Sequence, residues 1–316
     1  MRSPSWALVL AVSVLGRGAR PAPSARAVAV TFDDLPAISV VEQDIAAKER
    51  LTRDLLAAVL RHHVPIIGFV NENKLVDGGA IDDRRVGLLR RWLEAGSELG
   101  NHTYSHPSLN RVPLADYEAD LLRGETTLRP LGSEAGHPLR YFRHPFLHTG
   151  RDLDTRRDFD QFLSAHGYRV APVTIDNSDY VFAAAFDRAR ARHDLTAADS
   201  VATTYLGYME RVVAYYETQS VALLGREMRQ VLLLHANQLN AATFDRLATM
   251  LERRGYSFVP LDSALADPAF ASQDSYVGAG GISWLHRWAL TQGKSGSFFA
   301  GEPEVPAWIE RAAGLP

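Results

Sequence analysis

The feature of this chain that most restricts its fold is a repeated alternation of short apolar, β-branched runs with longer amphipathic stretches. The runs fall at 28–32, 66–70, 98–102, 141–146, 169–175, 231–235 and 257–261. They are apolar almost throughout, without the in–out alternation of a half-exposed sheet, which suits parallel strands covered on both faces. Between them, apolar residues at helical spacing predict helices over 45–62, 86–95, 114–128 and 241–254, the last stopped by Gly255. Seven such units in about 235 residues suit one barrel or near-barrel better than two domains. A doubly wound open sheet is the alternative.

Two segments exceed this pattern. The stretch 180–226 is too long for one crossover helix and predicts two, with Tyr205, Tyr208, Val212 and Tyr215 on one face. Such a tyrosine stripe is more often packing than a sugar platform. After Asp262 the tail contains GISWLHRWAL, whose tryptophans, Trp284 and Trp288, are expected to clamp it onto the body.

Hydrophobic residues make up 46% of the 316 and charged residues 22%, enough for a sizeable core. With a formal net charge of -3 and no basic stripe, nucleic acid is not an expected partner. The first residues have another character: Arg2, an apolar core over 6–16, then small residues around Ala22 and Ala25. That is the layout of a secretory signal peptide over 1–25, too short to span a bilayer, which needs roughly 20 apolar residues. The expected location is therefore periplasmic or extracellular, without a stable membrane anchor. There is no cysteine, so disulfides and thiolate ligands are excluded, and a domain of this size does not need them.

In α/β barrels and open sheets, function collects at the carboxyl ends of the strands. Here those ends carry Asp33 and Asp34 in TFDDLP, His102 and His106 in NHTYSHP, Arg143 and Phe146 in YFRHPF, Asp176 and Asp179 in TIDNSDY, and His235 in VLLLHANQ. Adjacent carboxylates each raise the cost of ionising the other, so Asp33 and Asp34 imply either a cation or a solvated corner. On a regular strand their side chains point apart, so both can serve one site only where the strand is ending. His102 and His106 are four residues apart, but Pro107 disfavours helical geometry at His106 and places the pair in a tight turn. Two imidazoles and one carboxylate would leave an open position on a tetrahedral ion, as catalytic zinc sites require. His144, next to Arg143 on a strand, should point away from it.

TFDD, HTYSH, RHPF, DNSDY and VLLLH, in that order, resemble the five motifs of the polysaccharide deacetylases, carbohydrate esterase family four. The resemblance implies a deformed (β/α) barrel and divalent-metal-dependent hydrolysis of N-acetyl or O-acetyl groups on a glycan, with Zn2+ the usual ion and Co2+ an alternative. By motif position it makes Asp33 the general base and Asp34, His102 and His106 the metal ligands. Arg143 would hold the base, and the Phe146 backbone N–H would bind the oxyanion. His235 would be the acid, supported by Asp176. Tyr180 stands where the family usually has tryptophan, which leaves the acyl pocket in doubt, and Phe146 stands where tyrosine is common. The implied organisation is a catalytic domain over 26–262 with an insertion at 180–226, then an extension over 263–316 packed on the barrel. Both additions lie outside the resemblance.

The expected function is an exported deacetylase of an acetylated glycan or oligosaccharide. A small-molecule amide or acetyl-ester hydrolase on the same scaffold is one alternative, and a non-catalytic glycan-binding module another. Binding alone would need neither a base nor an acid, which argues against the last.

Overall fold

The computed structural model describes residues 26–41 and 44–314, so the segment read as an export signal lies outside the described residues. The chain begins with β1 (Arg26–Leu35), α1 (Ile45–Arg61) and β2 (Ile66–Val70), then a small antiparallel hairpin of β3 (Val76–Asp77) and β4 (Ala80–Ile81). Next come α2 (Asp83–Glu94), β5 (Glu98–Asn101), α3 (Leu114–Arg123), α4 (Leu128–Glu134), β6 (Tyr141–Phe142), α5 (Leu153–Ala165) and β7 (Arg169–Val170). Two helices, α6 (Asp179–Ala191) and the long α7 (Leu195–Leu224), precede β8 (Gln230–His235), α8 (Gln238–Arg253) and β9 (Tyr256–Phe258). The remainder is helical: α9 (Leu261–Leu265), α10 (Trp284–Thr291) and α11 (Ala307–Ala313).

Apart from the hairpin, the strands form one parallel sheet in the order β7-β6-β5-β2-β1-β8, with β9 alongside the start of β1. The sheet curls into a half-barrel with helices around it, a deformed (β/α) barrel. Nine of the ten residues of β1 are buried, which is why its sequence runs apolar without alternation. On the outer side Phe32 meets Trp92 of α2 and Phe244 of α8, with ring centroids 5.4 and 5.8 Å apart. Burying a side chain of that kind contributes roughly 1.5–3 kcal/mol.

Three elements differ from the sequence expectation. The run 141–146 is a strand only as far as Phe142, because Pro145 cannot donate to a ladder and Pro145–Leu147 forms a 3-10 turn instead. The run 169–175 divides its pairing: Ala171 N–H donates to Phe142 (2.8 Å), whereas Ile175 pairs with β8, donating to Val231 (2.9 Å). Its second half thus crosses the open side of the half-barrel. The helix expected over 114–128 is two helices. Gly124 ends α3, and the buried Glu72 carboxylate starts α4 by accepting the N–H groups of Thr127 and Leu128 at 2.8 and 2.7 Å.

The stretch 180–226 supplies two helices, as its length requires, and Trp284 and Trp288 are buried. The tyrosine face of α7 is buried too. Tyr205 donates to Asn240 of α8 (2.7 Å), while Tyr208 and Val212 reach the cavity described next. Among the described residues, no helix is long and apolar enough to cross a membrane.

Candidate active site

The carboxyl ends of the strands open on a cavity of about 1360 Å³. Asp33, Asp34, His102, His106, Phe146, Asp176, Tyr180 and His235 all line it, and Arg143 lies buried beneath.

Asp33 and Asp34 come to one site by a local irregularity rather than by the strand ending. β1 continues to Leu35, but its register against β2 shifts between Phe32 and Leu35, and Asp34 takes a left-handed conformation (φ 68°). The extra residue turns the second carboxylate to the same side as the first. Asp33 lies opposite His235 in the β1–β8 ladder and receives Arg143 Nη1 at 3.2 and 3.3 Å. The Arg143 guanidinium is itself fixed, donating to Ala171 O (2.7 Å) and Thr31 Oγ1 (3.1 Å) and stacking over Phe69. Burial pushes the Asp33 carboxyl up to about 6, with Arg143 and His235 opposing.

The histidines sit in a turn, as Pro107 requires: Thr103 and His106 have φ of 67° and 60°, and His106 N–H donates to Thr103 Oγ1 (3.0 Å). His102 Nδ1 bonds the Arg143 carbonyl (2.7 Å), which makes Nδ1 the donor and leaves Nε2 as a free lone pair. Burial lowers the pKa of both rings and so favours the neutral, ligating form. One ligand atom from each of Asp34, His102 and His106 lies within 4.8 Å of the other two, so these residues form a group that could hold a metal ion. A carboxylate oxygen and two imidazole nitrogens, with one imidazole already oriented by its far nitrogen, fit a divalent cation.

Two features of the site escaped the sequence. The first is Lys74, in the turn after β2, whose Nζ lies 2.8 Å from Asp34 Oδ1 and 3.1 Å from the Asp34 carbonyl oxygen. Against burial, which pushes the Asp34 carboxyl up, Lys74 and the three imidazoles hold it well below the usual carboxylate range. The end of β2 was the only inner strand end without a residue of obvious chemistry, and a lysine three residues past an asparagine carries no motif.

The second feature corrects the expected partner of His235. Its Nδ1 meets Asp179 Oδ1 at 2.6 Å, and its backbone N–H donates to Asp179 Oδ2 (2.9 Å). Asp176 instead accepts the N–H of its neighbour Asn177 (2.9 Å) and lines the cavity, with its carboxyl raised by burial to about 7. Helix geometry decides between the two: Asp179 opens α6 and is carried under β8, while Asp176 precedes the turn. Asn240 of α8 donates to Asp179 Oδ2 (2.7 Å), and Asn240 in turn accepts from Tyr205 of α7. Burial alone would lower the His235 pKa, but Asp179 overrides it and the ring titrates at about 9.

Phe146 has φ 57° and ψ 12°, and Leu147 follows with φ 55°. Among the described residues the Phe146 N–H makes no hydrogen bond. His144 packs in the core against Phe142 and Phe159, and His148 bonds Ser108 (2.8 Å).

The strand ends of the half-barrel thus bring together a group that could hold a metal ion, a buried carboxylate held by arginine and a carboxylate-paired histidine. Residues 20–171, a little under half of the chain, match the polysaccharide deacetylase family model. It is 28% identical over 155 residues to a chitin deacetylase of Colletotrichum lindemuthianum, covering 48% of this chain and 52% of that one. It is 30% identical over 127 residues to a chitooligosaccharide deacetylase of Sinorhizobium fredii, covering 40% and 50%. The chain thus spans about half the length of these curated relatives. Among solved structures, a CE4 family pseudoenzyme from Bacillus anthracis shares the fold, with a TM-score of 0.51 at 15% identity over 77% of this chain and 66% of that one.

Proposed function

We propose that the protein is an exported, divalent-cation-dependent deacetylase that hydrolyses N-acetyl groups of an amino-sugar glycan, with O-acetyl esters as the easier second substrate. The observation that carries this is the convergence in one cavity of three groups: the Asp34–His102–His106 cluster, the Asp33–Arg143 pair and the His235–Asp179 pair. The two nitrogen ligands and one oxygen ligand favour Zn2+, with Co2+ able to substitute. Bound there, the cation would supply polarisation of the acyl carbonyl and a more acidic attacking water.

The chain's own groups do the rest. Asp33 accepts the proton of the attacking water, and Arg143 fixes its orientation. The Phe146 N–H donates to the oxyanion of the tetrahedral intermediate. Protonated His235 then gives its proton to the departing amine, with Asp179 holding the ring and stabilising its charge. Acetate and a free amine result. Because an amine leaves poorly unprotonated, His235 matters more for amides than for esters.

The same division of the chain is proposed: a signal peptide over 1–25, a catalytic unit over 26–262 with its insertion at 180–226, and an extension from 263. The two additions supply one wall of the cavity, through Tyr208, Val212 and Tyr216 of α7 and the segment 299–307. Asp176, Glu302, Glu304 and Glu310 line the cavity, and the basic groups beside it among the described residues, Lys74 and Arg143, are each paired with an aspartate. That field favours neutral or amine-bearing sugars over anionic ones.

Acetate release from N-acetylglucosamine oligomers, acetylated xylan and peptidoglycan, measured before and after chelation, tests the proposal. Chelator-sensitive release from an N-acetylated glycan supports it. Binding without release on all three would leave a glycan-binding module.

A further inference from the structure

The Phe146–Leu147 segment holds two successive non-glycine residues in the left-handed region, a conformation that persists only where its surroundings enforce it. Those surroundings come from two sides. From the β5 side, Ser108 bonds His148, and Asn110 Oδ1 accepts the Gly150 N–H at 3.0 Å. From the C-terminal extension, Arg287, fully buried between Trp284 and Asp274, donates through Nη2 to Thr149 Oγ1 (2.7 Å). Asn110 also donates to the Gly278 carbonyl (3.1 Å), tying the two supports together. Gly281 makes the closest approach. A Cβ built on it would stand 1.7 Å from the Phe146 carbonyl oxygen and 2.9 Å from Leu147 Cβ. No side chain fits there. Its neighbour Gly280 has open space, with nothing within 4 Å of the same virtual atom.

We infer that Gly281, backed by Arg287, is a positioning residue of the catalytic centre: the extension abuts the carbonyl of the peptide that follows Phe146 and so holds the strained Phe146 backbone, whose preceding peptide presents the Phe146 N–H to the cavity. A segment outside the deacetylase domain thereby becomes part of the catalytic apparatus. The inference rests on the proposed role of Phe146 as oxyanion donor.

Gly281→Ala forces the Phe146 peptide to move, and Gly280→Ala, one residue away, is the control. A displacement of about 1 Å in a catalytic group can cost on the order of 10²-fold, so kcat of Gly281→Ala on an N-acetylglucosamine oligomer should fall roughly 10- to 100-fold. KM and metal content should stay near those of the unaltered protein, while the melting temperature falls because the added methyl displaces backbone. Independently of turnover, the Phe146 amide resonance in a 15N-labelled sample should shift on titration with acetate in the unaltered protein and in Gly280→Ala, and not in Gly281→Ala. Thr149→Val, which removes only the tie to Arg287, should give a smaller kcat loss in the same direction and keeps the inference testable if Gly281→Ala does not fold.

Gly281→Ala with unaltered kcat and an unaltered Phe146 response would overturn the inference while leaving the deacetylase proposal standing. So would a loss of melting temperature and turnover together with the acetate response intact. If the unaltered protein neither releases acetate nor shows a Phe146 response, both fail.

Discussion

Replacing Asp179 by asparagine tests the assignment of the acid pair most directly. The rise of the His235 pKa from 6.5 to about 9 corresponds to roughly 3 kcal/mol in favour of the charged ring, at ~1.4 kcal/mol per pH unit. Burial opposes that rise, and Asp179 leads the groups that produce it, with Asp34 and Asp33 adding to it. Asp179→Asn keeps the side-chain volume but removes the charge, and the ring should titrate well below 9, with its ordinary value of 6.5 as the limiting case. In that limit the protonated fraction at pH 8 drops from about 90% to about 3%, a loss of ~30-fold from protonation alone. Lost orientation adds to it, within the roughly 10²–10⁴-fold range of a missing general acid.

The assay is kcat/KM against pH from 5 to 10 on an N-acetylglucosamine oligomer, with metal content measured alongside. The unaltered protein should give a bell: activity falls below about 6 as Asp33 takes up a proton, and above about 9 as His235 loses one. A cation at Asp34 adds positive charge and moves both limbs lower. Asp179→Asn should bring the basic limb down toward 6.5 and leave the acidic limb in place. Asp176→Asn should leave the basic limb where it was. If Asp176→Asn collapses the basic limb and Asp179→Asn does not, Asp176 supports the acid after all and the hydrogen-bond geometry is a poor guide to it.

Asp33→Asn cannot accept a proton and should retain about one metal per chain while losing most of its turnover, whereas Asp34→Asn should lose metal affinity and recover partly at high metal concentration. Elemental analysis with turnover of both variants distinguishes the roles, and the opposite pattern would exchange them. Lys74→Met removes a cation that competes at 2.8 Å for the Asp34 carboxylate, so zinc affinity measured by competition with a chromogenic chelator should rise; an unchanged or weaker affinity would mean that Lys74 holds the ligand in place. Because carboxylates line the cavity and its neighbouring basic groups, Lys74 and Arg143, are already paired with aspartates, partly deacetylated oligomers should have a lower KM than anionic glycans of equal length, with the difference shrinking as salt is raised.

The helical strut from α7 to the acid pair, Tyr205 to Asn240 to Asp179, illustrates how far the sequence could be read. The tyrosine stripe was legible as packing from its spacing, since a buried helix face repeats every three or four residues. What it packs against was not. The same holds for Lys74: a cation one turn past β2 is ordinary until the left-handed kink at Asp34 swings a carboxylate and its carbonyl toward it. The choice between Asp176 and Asp179 turns on where α6 begins, and two aspartates three residues apart do not encode that boundary. Strand length was over-read at 141–146 and 169–175, because apolar character records burial, whereas pairing also needs a free N–H and a neighbour in register.

The sequence alone determined what short-range rules control: apolar runs that must be buried on both faces, a proline that keeps His106 out of a helix, and the order in which ionisable residues meet the strand ends. These follow from the periodicity of the backbone and from the rule that a parallel sheet presents its carboxyl ends together. Only the tertiary structure decided which carboxylate holds His235, which lysine faces Asp34, and that Gly281, over a hundred residues past Phe146, rests against its carbonyl. Those are contacts between segments far apart in the chain. Their geometry is set by the packing of whole elements to within an ångström, and no local pattern of residues carries that information.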